Sequence, residues 1–127
     1  MIRKYSFSFC VATHNSQAFI DRTLTSILRQ TAPDFEVVVV DDHSTDGTVD
    51  AVWKRYCSKD SRFKLHANAT DPGRPYVDAH NLSYAYANGD MLVRLDHDDV
   101  LAEGYLEGMK KFIEENEEYD AYSCAIS

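Results

Sequence analysis

The apolar positions of this 127-residue chain fall into short runs separated by helically spaced segments. Tyr5 to Ala12 is apolar and β-rich and predicts a first strand. Phe19, Ile20, Leu24, Ile27 and Leu28 recur at helical spacing, with Asn15 or Ser16 placed to cap the helix and Pro33 beyond its end. Phe35 to Val40 holds four consecutive valines, a run suited to a central parallel strand buried on both faces. Val49, Val52, Trp53 and Tyr56 stand at i, i+3, i+4, i+7 and predict a second helix. Phe63 to Ala67 reads as a third strand, and Asn68 to Pro75, with Asp71-Pro72-Gly73, as a loop. A helix is expected from about Val77 to Ala87, with Leu82, Ala85 and Tyr86 on one face. Gly89 of Asn88-Gly89-Asp90 is expected to end it in a left-handed cap. Met91 to Leu95 predicts a fourth strand. Tyr105, Leu106, Met109, Phe112 and Ile113 predict a further helix, and Ala121 to Ile126 a fifth strand.

Repeated strand–helix units imply one α/β domain over residues 1–127: a Rossmann-like, mostly parallel sheet with helices on both faces. Ligands of such sheets bind beyond the carboxyl ends of the strands. That rule selects Ala12 to Asn15, Asp41 to Gly47 and Asp96 to Asp99, three polar segments that each follow an apolar strand.

Charge and cysteine content narrow the setting. The net charge of −8 argues against nucleic acid or an acidic membrane surface as partner. A small anionic substrate remains compatible if a cation bridges the two. Cys10, Cys57 and Cys124 have no recognisable spacing and read as free thiols of a reducing compartment. Met1-Ile2-Arg3-Lys4 leads into a strand rather than a leader-type apolar stretch, and no segment has the ~18 apolar residues of a spanning helix. A cytoplasmic location is expected, with any approach to the inner membrane face made through a partner or a further segment. Asn68-Ala69-Thr70 and Asn81-Leu82-Ser83 match the glycosylation acceptor pattern, which carries little weight without secretion.

The acidic segments carry the chemistry. Leu95-Asp96-His97-Asp98-Asp99 crowds three carboxylates just past a strand, where like charges repel unless they face water, pair with cations or hold a metal. Hard oxygen ligands suit Mn2+ or Mg2+, with positions left for substrate phosphates. An acidic turn that caps the next helix is the plainer alternative, and Asp99 fits it. In Val40-Asp41-Asp42-His43-Ser44-Thr45-Asp46-Gly47-Thr48, capping and turn formation account for Ser44 to Gly47 but not for both Asp41 and Asp42. A carboxylate at a strand end can accept from a nucleobase N–H or a ribose hydroxyl. His14 could stack on a base or sit in an ordinary turn.

Taken together, Ala12-Thr13-His14-Asn15, Ser26-Ile27-Leu28-Arg29-Gln30-Thr31, Val40 to Thr48 and Leu95 to Asp99 resemble, in order and spacing, the family-2 glycosyltransferases with the GT-A fold. The resemblance implies a nucleotide-binding segment formed by Ala12, Thr13, His14 and Asn15, with His14 packing near the base. It implies that Asp42 binds uracil or another base, that Asp96 lies near the ribose, and that Asp98 ligates a metal bridging the diphosphate. Arg74 falls where some members place a basic residue against the nucleotide. Ala12 replaces the family's common Pro, His14 its Tyr, and His80-Asn81 an Arg-Asn, so the base preference is left open, with a UDP-sugar favoured.

The resemblance also implies an acceptor half carrying the catalytic base, to which nothing in these 127 residues corresponds; the base is therefore unknown. Glu103, Glu114, Glu115, Glu117 and Glu118 read as a solvated acidic face of the last helix. The chain is expected to be a fragment of a longer transferase or a naturally short protein. Sheet edges and apolar surface left uncovered favour a homo-oligomer. The competing reading is a non-catalytic module that binds a nucleotide sugar. A phospho-receiver domain would need its acidic pair after the first strand, and a dinucleotide-binding fold a Gly-x-Gly-x-x-Gly there; neither is present.

Overall fold

The structure is a computed structural model and describes residues 6–31 and 34–116. The predicted fifth strand, Tyr5, Pro33, Glu117, Glu118 and Cys124 lie outside the described residues. The elements are β1 (Phe7–Thr13), α1 (Ile20–Leu28), β2 (Phe35–Asp41), α2 (Thr48–Val52) running on into a π-helical turn (Trp53–Cys57), β3 (Phe63–Ala67), α3 (Pro75–Tyr86), β4 (Met91–Asp96) and α4 (Tyr105–Glu115). All four strands are parallel, in the order β3-β2-β1-β4. The chain steps outward from β1 to β2 to β3, then crosses back to lay β4 on the other side of β1. The topological switch point therefore lies between β1 and β4.

Period-two alternation sorts the side chains into two layers. Phe7, Phe9 and Val11 of β1 and Val37 and Val39 of β2 pack with Ile20, Leu24 and Ile27 of α1, Val52, Tyr56, Leu106 and Ile113. On the opposite face Ala12, Val38 and Val40 meet Ala79 of α3, with Leu82 and Ala87 beside them. The valine run is thus divided between both layers and fully buried, as its composition implies. Burying side chains of this size contributes roughly 1.5–3 kcal/mol each, so the strands are held mainly by these layers.

Several helix faces differ from the sequence expectation. Phe19, Leu28, Trp53 and Phe112 are exposed, as are Ala85 and Tyr86. On α3 the buried side is formed by Ala79, His80 and Ser83. Small and polar residues can face a sheet at close range when their polar atoms are satisfied nearby: Ser83 Oγ donates to the His80 carbonyl at 2.6 Å. Apolar periodicity finds Leu82, which packs beside Ala79, but misplaces Ala85 and Tyr86. Tyr86 instead stacks on His66 of β3, the ring centroids 3.8 Å apart. The expected side-chain cap of α1 is also absent; Phe19 precedes the helix, and the Ser16 carbonyl accepts from Phe19 N and Ile20 N. Asn15 is used elsewhere, as described below.

Gly89 departs from expectation too. It is not left-handed, and α3 ends through an extended Ala87 (φ −75°, ψ 140°). Gly89 is required for close approach: a Cβ there would lie 2.6 Å from Ser8 Oγ and 2.8 Å from Ser8 N. The turn is fastened by Glu36, whose carboxylate accepts from Ser8 Oγ, Asn88 N and Lys64 Nζ. Burial alone would raise the Glu36 pKa, but these donors outweigh it and hold the carboxyl down at about 2, against an ordinary 4.5.

Because the folded-state value is depressed, the stabilisation is complete above about pH 4.5 and is lost as pH falls toward 2. Urea titrations between pH 5 and 2.5 are expected to show the wild-type chain losing about 2 kcal/mol more than Glu36→Gln. Parallel acid limbs in the two proteins would contradict this role.

Candidate nucleotide site at the carboxyl edge

The strand register sets the ends level. Thr13 pairs with Asp41, Asp41 with Ala67, and Ala12 with Asp96. The loops after all four strands therefore leave from one edge, and α3 begins at the same edge through Arg74 and Pro75. The N-terminal end of that helix adds partial positive charge there.

Asp41 is the hub of the edge. It is fully buried, and its carboxylate accepts from Thr13 Oγ1 (2.7 Å), Ser44 Oγ (2.6 Å) and Ser44 N (2.9 Å). Its carbonyl accepts from Asn68 N at 3.0 Å, and the Thr13 carbonyl accepts from Asp42 N at 2.8 Å. A buried carboxylate is tolerated when several donors converge on it. Asp41 thus has a structural assignment, whereas Asp42 is held by fewer donors.

The loops after β1 and β2 are stitched together. Asn15, at φ +47°, donates through its backbone N–H to Ser44 Oγ (2.9 Å), while its side-chain oxygen accepts from Thr45 N (2.8 Å) and Asp46 N (3.3 Å). Ser16 N donates to Thr48 Oγ1 at 2.8 Å, and Gly47 N to Gln17 Oε1 at 2.9 Å. Asp46 accepts from Thr48 N at 3.0 Å. Ser44 to Thr48 are therefore occupied as turn and cap residues, as the sequence suggests, and the Asn15 side chain is engaged with them.

The residues expected to bind a nucleotide fall into two groups. The side chains of Ala12 and Thr13 are buried, so only their backbone could meet a ligand, and the Asn15 side-chain oxygen is engaged. His14, Asp96 and Arg74 present side-chain groups at the edge, and Asp42 stands there only 6% exposed. His14 is exposed, and its Nδ1–H donates to the Asp42 carbonyl at 2.6 Å, which fixes the ring beside Asp42. Asp42 accepts at Oδ1 from Thr70 Oγ1 at 3.1 Å. Arg74 is exposed at the head of α3.

In the loop after β4 the three aspartates divide. Asp99 closes the turn: its Oδ2 accepts from Asp96 N at 3.0 Å, and its N–H donates to the Asp96 carbonyl at 3.0 Å. Asp96 is part-exposed, with Oδ1 3.5 Å from His80 Nε2 and 3.8 Å from Arg94 Nε. Burial first, and then the nearby Arg94 guanidinium, hold the His80 imidazole below its ordinary pKa despite Asp96, so the ring is neutral at pH 7. The His97 carbonyl accepts from Thr23 Oγ1 at 2.9 Å, which pins the loop to α1. Asp98 is exposed and accepts no hydrogen bond from the described residues.

A divalent cation fits this donor set only if it shares ligand oxygens. Among the described residues no group of three or more His, Cys, Asp or Glu could hold an ion alone, whereas one exposed carboxylate plus phosphate oxygens is a normal Mg2+-type shell. The sequence reading missed His43 and Thr70 beside Asp42 and Arg94 beside Asp96. Thr70 was visible as a hydroxyl residue just past the end of β3, but within an Asn-x-Thr pattern that suggests a different use.

The model of the family described as "Glycosyl transferase family 2" matches residues 8–126. The chain belongs to glycosyl transferase family 2. Poly(ribitol-phosphate) beta-N-acetylglucosaminyltransferase TarS of Staphylococcus aureus (strain Mu50) is 35% identical over 113 residues, 87% of this chain and 19% of its own length. The crystal structure of S. aureus TarS 1-349 with UDP-GlcNAc superposes with a TM-score of 0.79 at 35% identity, over 88% of this chain and 32% of that one. The mannosyltransferase PcManGT of Pyrobaculum calidifontis, in complex with GDP-Man and Mn2+, gives a TM-score of 0.75 at 29% identity, over 87% and 33%. The fold is therefore that of the GT-A glycosyltransferases, and the chain spans about a fifth to a third of the length of these relatives.

The division of labour within the family-2 edge is testable by stability alone. Asp41→Ala removes three hydrogen bonds from a buried hub and is expected to cost about 2–4 kcal/mol in urea unfolding. Asp98→Ala removes an exposed carboxylate that has no bond among the described residues and is expected to stay within about 0.5 kcal/mol of wild type. Equal effects of the two would refute the assignment.

Proposed function

We propose that this chain is the donor-binding part of a glycosyltransferase, taking a nucleoside diphosphate sugar, with UDP-sugars preferred, for transfer to an acceptor hydroxyl. The observation that carries the reading is the separation of carboxylates at one strand edge. Asp41 and Asp99 are consumed internally, while Asp96 and Asp98 are at least part-exposed and Asp42 keeps one carboxylate oxygen unbonded among the described residues. The complexes of relatives with UDP-GlcNAc and with GDP-Man and Mn2+ support a nucleotide sugar and a divalent metal.

In this reading Asp42 and His14 take the base, Asp96 takes the ribose, and Arg74 with the head of α3 faces negative charge on the nucleotide. Asp98 would hold Mn2+ or Mg2+. A bound divalent cation supplies Lewis-acid neutralisation of the diphosphate as it leaves. The carboxylate that deprotonates the acceptor hydroxyl is assigned to no residue of this chain.

A cytoplasmic location belongs to the same proposal. Cys10 and Cys57 are free, and burial pushes the Cys10 thiol up to about 11; no described helix is long and apolar enough to cross a membrane. Self-association of the chain belongs to it as well, supported by exposed Leu92 on β4, which pairs on one side only among the described residues. Light scattering of concentrated protein should then give a dimer or larger species, and a strict monomer would end that part.

Calorimetry with UDP is the primary test. Binding is expected to strengthen at least about tenfold with Mn2+, and Asp98→Ala is expected to abolish that gain while remaining folded. Unchanged UDP affinity in Asp98→Ala with Mn2+ present would count decisively against the site. A donor-hydrolysis assay then separates an active chain from a module that binds without turnover.

A further inference from the structure

Asp42 does not stand alone at the edge. Buried Thr70 donates through Oγ1 to Asp42 Oδ1 at 3.1 Å. His43 Nδ1 lies 3.0 Å from Thr70 Oγ1 and 3.3 Å from the same Asp42 oxygen. The Thr70 hydroxyl has one proton, and it is directed to the carboxylate. His43 Nδ1 therefore carries the proton on its side and donates toward Thr70 and Asp42 Oδ1. The arrangement is held in place by backbone that non-glycine residues rarely adopt: His43 has φ +49° and Asn68, two residues before Thr70, has φ +55°.

The other carboxylate oxygen is in a different state. Asp42 Oδ2 accepts no hydrogen bond from the described residues, and it is not among the buried side-chain atoms sealed away without a partner. One oxygen is committed inward and one is open.

We infer that Thr70, backed by His43, is a specificity-determining residue for the donor base: their two donors together fill the two acceptor positions of Asp42 Oδ1 and leave Oδ2 as the one open oxygen, which fits uracil and disfavours guanine. The inference rests on the donor-binding reading proposed above. Uracil presents one N–H, at N3, flanked by two carbonyl oxygens. A single carboxylate oxygen satisfies that N–H, and a second free oxygen would lie against a carbonyl. Guanine presents two adjacent donors, N1–H and the N2 amino group, which call for both oxygens of a carboxylate side by side. With Oδ1 taken, one guanine donor would be left unpaired on desolvation, and an unpaired donor carries a full desolvation cost.

The experiment is calorimetry of the 127-residue chain with UDP and with GDP, each with Mn2+, for wild type, Thr70→Val and Thr70→Ser. Wild type is expected to favour UDP by about tenfold or more, Thr70→Val to lose about tenfold of that ratio, and Thr70→Ser, which keeps the hydroxyl, to retain it. If Thr70→Val does not fold, His43→Ala, at an exposed ring, is expected to lower the same ratio in its place. An unchanged UDP-to-GDP ratio in the folded variant, or equal loss in Thr70→Val and Thr70→Ser, would overturn the inference. Preference of the wild type for GDP would also overturn it while leaving the donor-binding reading intact. Failure of the wild type to bind either nucleotide would instead overturn that reading.

Discussion

The arrangement at the carboxyl edge depends on one buried carboxylate. Asp41 ends the central strand with its side chain turned into the protein, where Thr13 and Ser44 supply its donors. Because those donors come from β1 and from the loop after β2, satisfying Asp41 fixes the two strand ends and that loop together. Through its carbonyl the same residue holds Asn68, and with it the start of the loop after β3. Removing the charge from water is tolerable only with this full set of partners. The next residue, Asp42, inherits a defined position and direction from its neighbour's burial. Two adjacent aspartates that look alike in the chain thus differ in how fully the fold occupies their carboxylates.

The same division recurs beyond β4. Asp99 folds back onto Asp96 N and closes the turn, while Asp98 points outward with no partner among the described residues. Like charges so near one another are unfavourable unless some are bonded internally and others meet solvent or a cation. In the first acidic segment Asp41 and Asp46 serve the fold and in the second Asp99 does, while His14 bonds the Asp42 carbonyl and His80 lies 3.5 Å from Asp96. Membership of glycosyl transferase family 2 and the likeness to nucleotide-sugar complexes accord with that geometry.

Much of this was legible in the chain. The valine run Val37 to Val40, the alternation through β1 and the exact span of β3 follow from apolar patterning, because a two-sided buried sheet leaves little freedom. The three polar strand ends were legible for the same reason: the edge of a parallel sheet is where such residues can meet a ligand. What could not be read was set by packing between elements. The buried face of α3 is made of Ala79, His80 and Ser83, so hydrophobic spacing pointed to Ala85 and Tyr86 instead. Gly89 was legible as a turn residue but not as a point of contact with Ser8, since that approach exists only once β1 lies beside it. Asn15 looked like a ligand residue until the loop after β2 was folded against it.

The central claim is that this edge grips a cation and, through it, a diphosphate, while Asp42 holds the base. A crystal structure of the chain with UDP and Mn2+ tests it most directly. The account predicts an anomalous manganese peak within about 2.5 Å of an Asp98 oxygen, shared with phosphate oxygens. It also predicts the base N–H at about 2.9 Å from Asp42 Oδ2. Bound UDP with Asp98 turned to bulk water, or with the base away from Asp42, would contradict it.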